Sequence, residues 1–403
     1  MKPSDRLRTL VLTRLYAHTA SYYNSWQDAL SRHVRFDAVV QDLHRCKAAN
    51  LQRDIGSFDA VILLHSCTAD TLDDLPDLVP VLANRNTCRL IAFVGNEFNS
   101  PYAPMAAKIA LLAACRPDII ATQLLLEAGE FLYGAIAPRI VSLPHGLDEN
   151  RFKVGPADGE RPTDIGFRGF RYSPLIGDQE RNAIVETVVT LAKPHDLTVD
   201  VDWRERLNSE GWCLFLQRCR GTVGSEAGSW FLDRDDALVM RIHQAVRRER
   251  KGLVLSDKTP LRSTIRRLPG PVKKAIGSLL RLGLIKYDVY EDELLDFERL
   301  ESDFFRTASR APVYAKCISS RNFEAAGTKT CQILIAGRYN DIFVPDQHYI
   351  AVRHDLSDIE GALNRFRDPS QRHAIAERAF ALVTEKHTFA HRIDTLHGLL
   401  TSL

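Results

Sequence analysis

Short apolar runs rich in β-branched residues alternate with stretches of helical periodicity from the beginning of the chain, and this alternation narrows the fold more than any other feature. Runs at Leu7–Thr13, Phe36–Val40, Asp59–Leu64, Arg89–Val94, Ile119–Thr122 and Arg139–Leu143 read as strands, with Asn24–Arg32, Met105–Cys115 and Leu124–Tyr133 as helices between them. Strands joined through helices pair in parallel, because each crossover returns the chain to the same end of the sheet. A first α/β domain over residues 1–148 follows. The turn-rich stretch from Pro144 to Pro162 lacks periodicity, which makes 149–163 an interdomain crossover. A second α/β domain over 164–387 opens with a strand at Asp164–Gly169, a helix near Asp178–Ala192 and a strand at Leu197–Val201. It carries an insertion at about 225–310, and a helix over 388–403 closes the reading.

Composition removes several classes of function. The 53 Lys and Arg nearly balance 51 Asp and Glu, with 45% apolar and 26% charged residues, so a polybasic nucleic-acid binder, an acidic solvating protein and a disordered chain are all excluded. Eight cysteines without a CxxC pair or a Cys/His cluster argue against a zinc site and a disulfide scaffold, and read as small core hydrophobes. The N-terminus lacks the apolar core of a signal peptide, and no stretch approaches the ~20 apolar residues of a membrane span. Cytoplasmic residence is therefore expected, with a place at the inner membrane face as an extension of it. Near-zero net charge conceals a local polarity: residues 259–286 hold seven Lys or Arg and no acid, and 288–303 hold eight acids and one Arg. The acidic part reads as a helix with Leu294, Phe297, Leu300 and Phe304 on one face. The basic part reads first as a surface insertion paired with that helix, and second as a membrane-surface helix near Val272–Lys286.

The segment Tyr314–Leu334 carries the chemistry. It reads as a strand to about Ile318, a turn at Ser319 and Ser320, a short helix from Arg321 to Ala326, a stop at Gly327 and another strand. A helix start beyond a strand offers unpaired N–H groups and a positive dipole end to an anion. Arg321 adds a fork of donors suited to phosphate, and Glu324, one turn on, suits a pair of sugar hydroxyls. The same string also reads as a plain capping box with Ser320 as N-cap. Asp233-Arg-Asp235 formally matches a metal-holding pair, but reads as the polar start of a helix running to Arg248. No metal site is expected.

Arg321-Asn-Phe-Glu-Ala-Ala-Gly-Thr, Gln332-Ile-Leu-Ile-Ala-Gly-Arg-Tyr, Phe343-Val-Pro and His348-Tyr-Ile resemble the donor-binding region of GT-B glycosyltransferases. They are most similar to family-4-like and spore-maturation-type members with an Arg-x-Phe-Glu-Ala pattern. Gly95-Asn-Glu-Phe, Ala121-Thr-Gln, the crossover at Pro144–Phe152 and Asp164–Gly169 agree with it. The resemblance implies two Rossmann-like domains facing a cleft, with the acceptor on the first and a nucleotide diphosphate sugar on the second. By motif position it assigns Glu324 to the ribose, Gly327 and Thr328 to a close backbone approach, and Arg321 and Ser320 to the diphosphate. Arg168, Gly169 and Arg171 join that donor set. One departure stands out: many such enzymes carry a Glu eight residues before the ribose Glu, where this chain has Lys316.

Breaking the anomeric bond leaves extra negative charge on the diphosphate, which fixed cations and dipoles must meet. Arg321, the helix start and Arg168 or Arg171 are expected to do this without a metal, and no cofactor is expected. A base for the acceptor hydroxyl is sought among His18, His65, Glu97 and His145. Glu97, at the C-terminal end of a strand, comes first, with His145 and Lys316 as weaker catalytic candidates. Tyr22, Asn24 and Trp26 are the residues to stack on or bond an acceptor. The expected function is sugar transfer from a nucleotide diphosphate sugar to a glycan, lipid or protein hydroxyl, in surface polysaccharide, glycolipid or glycoprotein synthesis. A nucleotide-sugar epimerase and a non-catalytic nucleotide-sugar or glycan-binding module are the alternatives.

Overall fold

The computed structural model describes residues 6–15, 21–205, 207–249, 253–255, 285–287 and 295–402. His18 and most of the basic and acidic stretches, including Val272–Lys286 apart from a short strand at its end, lie outside them.

The first domain contains β1 (Leu7–Thr13), α1 (Ser21–Arg32), β2 (Phe36–Asp42), β3 (Ala60–Leu63), β4 (Arg89–Phe93), α2 (Met105–Cys115), β5 (Ile119–Thr122), α3 (Leu126–Tyr133) and β6 (Ile140–Ser142). Its strands form one parallel sheet in the order β2-β1-β3-β4-β5-β6. β3 and β5 are buried at every position and correspondingly apolar, whereas edge strand β2 is only partly buried. Central strands of a parallel sheet are covered on both faces, so their residues run apolar without alternation.

The second domain contains β7 (Thr163–Arg168), α4 (Glu180–Ala192), β8 (Val199–Asp202), α5 (Ser209–Arg218), β9 (Cys219–Gly224), α6 (Ala237–Glu249), α7 (Ser320–Gly327), β10 (Cys331–Ile335) and β11 (Ile350–Val352). Its sheet is again parallel, ordered β11-β10-β9-β7-β8. In each sheet the strand order reverses next to the first strand, and the cleft runs along the carboxyl ends of both, where α/β sheets place ligands.

Helix α8 (Phe389–Thr401) returns to the first domain. Phe389, Ile393, Leu396 and Leu400 pack with Trp26, Leu30 and Phe36 in one buried cluster. The chain therefore passes between the domains twice, side by side: Leu147 N–H donates to His387 O (2.8 Å) and Phe389 N–H to Leu147 O (2.9 Å). All eight cysteines are unpaired, seven buried and Cys46 half-buried. The acidic stretch forms a helix at Phe297–Leu300 that widens into a π turn over Glu301–Phe305, with Leu300 and Phe305 buried.

Candidate functional site

Between the two sheets lies a cavity of about 260 Å³. Its second-domain wall includes the end of β9, the Ser319–Asn322 entry to α7, Trp212, Tyr172 and Arg181. Its first-domain wall includes Tyr23, Asn96, Glu97, Gln123 and His145.

Helix α7 begins one residue earlier than expected. Ser319, not Ser320, is its N-cap, in a capping box closed by Asn322, whose Oδ1 accepts the Ser319 N–H at 3.0 Å. The first turn of α7 thus faces the cleft, and Ser320 and Arg321 form part of the wall. The exposed Arg321 guanidinium donates to Arg168 O and lies 5.0 Å from the centre of the Trp212 ring. A Cβ at Gly169 would come within 3.4 Å of Arg321 Nη1, so a glycine there leaves room for the guanidinium. Glu324 is only 5% exposed, and its Oε2 accepts the Trp212 indole N–H at 2.7 Å. Burial pushes its carboxyl up to about 7, against the pull of Trp212, Arg321 and Ser320.

Arg181 was not expected here. It stands in the first turn of α4, where the helix dipole disfavours a cation. Its guanidinium lies 3.5 Å from the centre of the Tyr172 ring and donates to Phe170 O, while its Nε is out of solvent without an acceptor. Burial, with the Arg321 charge adding to it, lowers its pKa. Neither Arg181 nor Arg321 makes an ion pair among the described residues. The two guanidiniums repel each other, and an anion lying between them would relieve that repulsion. The sequence signal was the misplaced cation itself, at the start of a helix.

Several expected donor residues are not brought to the cleft. Arg168 turns away to Asp200 (2.8 Å) and Glu205 (2.6 Å) and lies over Phe215, so its charge is already met. Arg171 pairs with Glu186 over the Trp203 ring on an exposed edge. Gly327 does make a close approach, but to the crossover: a Cβ there would meet Leu147 Cδ1 at 2.3 Å. Thr328 is fully buried and bonds Thr330 Oγ1 (2.9 Å) and Ala325 O (3.0 Å) at the end of α7. Lys316 is 0% exposed, locked between Asp178 (2.7 Å) and Glu180, and is not part of the cavity wall.

On the first-domain wall, three donors converge on Glu97. Thr122 (2.6 Å) and Tyr133 (2.9 Å) donate hydroxyls to Oε1, and Gln123 N–H donates to Oε2 at 2.8 Å. Burial nevertheless pushes its carboxyl up to about 7. In this setting Glu97 ties the end of β4 to β5 and α3. His145 Nδ1 accepts the Trp26 indole N–H at 3.0 Å, which places the proton of the neutral ring on Nε2. Burial, then Arg392, pulls its pKa down to about 3, which keeps the ring neutral. Trp26 is fully buried in the core and is not part of the cavity wall. Asn24 is half-buried on α1 and absent from the wall, and the side chain of Tyr22 lies outside the described set. Tyr23, one residue on, supplies the aromatic ring of the wall.

The two walls are linked by Asn340, whose Nδ2 donates to Gln123 O (2.9 Å) and whose Oδ1 accepts Ile318 N–H (2.7 Å). It lies in a run of three left-handed residues, Tyr339, Asn340 and Asp341, with φ of 45°, 55° and 57°. A second link joins Asn99 to Asp233 (2.6 Å) and Asp236 (2.8 Å), and Asp236 also accepts from Met105 N and Ala106 N at the start of α2. Asp235 accepts Ala237 N–H at 2.9 Å at the start of α6. Among the described residues no group of three or more His, Cys, Asp or Glu is placed to hold a metal ion, and no helix is long and apolar enough to cross a membrane.

Residues 299–398 match a family model described as glycosyl transferase-like. Among solved structures, Anabaena HepE in complex with UDP and glucose aligns over 99% of this chain and 100% of its own, at 11% identity and a TM-score of 0.50. An α,α-trehalose-phosphate synthase (UDP-forming) from Burkholderia vietnamiensis aligns over 99% and 100%, at 14% identity and a TM-score of 0.43. No curated protein sequence matches the chain. The fold is GT-B: two Rossmann-like α/β domains facing a cleft.

Proposed function

We propose that this chain transfers a sugar from a nucleoside diphosphate donor to a hydroxyl acceptor. The observation that carries this reading is a pair of guanidiniums without ion-pair partners among the described residues, Arg181 at the start of α4 and Arg321 at the start of α7, with the buried Glu324 one helical turn beyond Arg321. A diphosphate between the two guanidiniums is met by their N–H forks and by the first turn of α7. One turn further on, Glu324 accepts from the ribose hydroxyls, held in place by Trp212. When the anomeric C–O bond breaks, the new charge on the diphosphate falls on groups already oriented toward it, so we assign leaving-group stabilisation to them rather than to a metal. Tyr23 and the Nε2–H of His145 line the acceptor side. Glu97, able to exchange a proton near neutrality, is the carboxylate assigned to the acceptor hydroxyl. Residues 1–148 then form the acceptor domain and 164–387 the donor domain, working in the cytoplasm in the assembly of surface polysaccharide, glycolipid or glycoprotein.

The test is thermal stabilisation by a panel of nucleotide sugars, beginning with UDP-glucose, followed by hydrolysis or transfer with and without a chelator. At least one donor should raise the melting temperature by mass action, Glu324→Gln should lose most of that shift, and the chelator should leave turnover unchanged. Absence of any nucleotide shift removes the donor-site assignment. Binding without hydrolysis or transfer leaves a binding module, and isomerisation of the bound sugar an epimerase.

A further inference from the structure

A second cavity, of about 490 Å³, opens between α3 of the first domain and α6 with the 308–312 segment of the second. Phe131, Phe231, Leu238, Ala311 and Pro312 make its walls apolar. Arg241 and Arg310 line it, and Arg234 lies 4.6 Å from the centre of the Phe131 ring. All three arginines are exposed, and none forms an ion pair among the described residues. Arg241 and Arg310 also lie near aromatic rings, 5.8 Å from the centre of Phe304 and 5.5 Å from that of Trp230. A guanidinium against a ring rather than a carboxylate keeps its N–H edge for an anion arriving from solvent. The acid in the groove wall, Asp233, is already committed to Asn99 Nδ2 (2.6 Å) and Asp236 N (2.6 Å).

We propose that this groove binds a phosphate-headed lipid, its chain between Phe131, Phe231 and Leu238 and its phosphate on Arg234, Arg241 and Arg310. An apolar trough edged by three cations without ion pairs among the described residues complements an anionic amphiphile, and neither a neutral sugar nor a free inorganic anion uses both parts. Asn99, which holds Asp233 in the groove wall, follows directly on Asn96, Glu97 and Phe98 of the cleft. On the transferase reading, which this last step rests on, the lipid carries the acceptor and the groove seats its anchor beside the acceptor wall.

The experiment measures melting of the full chain with dodecyl phosphate below its micelle concentration, against inorganic phosphate and dodecyl maltoside, with UDP-glucose as a separate arm. Dodecyl phosphate should stabilise most, and R241E/R310E should weaken its apparent affinity at least about tenfold, since each basic side chain contributes ~1 kcal/mol toward an anionic lipid. Phe131→Trp, which narrows the trough without changing charge, should also reduce the dodecyl phosphate shift. The proposal is overturned if inorganic phosphate or the maltoside matches dodecyl phosphate, if none of them shifts melting, or if both variants keep the full response. A lost UDP-glucose shift beside a retained dodecyl phosphate shift strikes the transferase reading alone.

Discussion

Glu97 and Glu324 are buried carboxyl groups on opposite sides of one cleft, and burial pushes both up to about 7, yet their surroundings differ. Glu97 receives three hydrogen bonds that join two strands and a helix of its own domain. Glu324 takes one from Trp212 and stands behind an exposed arginine and a helix start. A raised pKa therefore does not by itself assign a role to either carboxyl; the surroundings of each must be tested separately. The first-domain wall is closed by its own hydrogen bonds, and the second-domain wall holds guanidiniums without ion pairs among the described residues, as the proposed donor site requires.

The strongest way to break this comparison is Glu97→Ala. It strands two hydroxyls and an N–H that lose a buried charged acceptor, so a stability loss on the order of 3 kcal/mol is expected in denaturant titration. Nucleotide affinity of the folded fraction should hold while its turnover falls; turnover that survives in the folded fraction would leave Glu97 a strut alone. Next in size is the pair Arg181→Met and Arg168→Met. The first should weaken nucleoside diphosphate binding roughly 10- to 100-fold, as loss of a charge-assisted contact does, with little effect on the bare nucleoside. The second should leave affinity unchanged, because Arg168 is paired with Asp200 and Glu205. Equal affinity losses from both would return Arg168 to the site.

The smallest effect is in pH. Carboxyls raised to about 7 when folded, from 4.5, bind protons that the unfolded chain has already released. Their contribution is fully present below about 4.5 and is lost as pH rises through 7. Between pH 6 and 8 each should lower stability by about 1.4 kcal/mol, and Glu324→Gln should remove about half of the combined slope. A flat profile, or one unchanged in the variant, would place these groups outside that titration range.

In the second sheet β9 and β11 were not read from the sequence, and the strand expected up to Ile318 is only Lys316–Cys317, paired with Ala227–Gly228 outside that sheet. The first sheet was legible in the sequence because the apolar runs of β3 and β5 and the helical periods between strands are local properties. The region of α7 was legible for the same reason, and the N-cap was misplaced by a single residue. What escaped depends on distant partners. Lys316 looked available until Asp178 and Glu180, more than a hundred residues away in sequence, closed on it. Arg168 was likewise claimed by Asp200 and Glu205. Tyr23 reaches the cleft wall through the rotational phase of α1, which sequence alone does not fix. Arg181 becomes a site residue only because the loop after β7 folds back, placing Tyr172 under its guanidinium.

The return of α8 to the first domain has a consequence for synthesis on the ribosome. Phe389, Ile393, Leu396 and Leu400 complete the core around Trp26, Leu30 and Phe36, but they emerge some 240 residues after Asp148. At roughly 5–20 residues per second, the first domain waits on the order of 10–50 s with that face uncovered. Until then Trp26 and Leu30 form an open apolar surface on the nascent chain, a place for a holding chaperone. Helix α8 covers that face once its residues have been made.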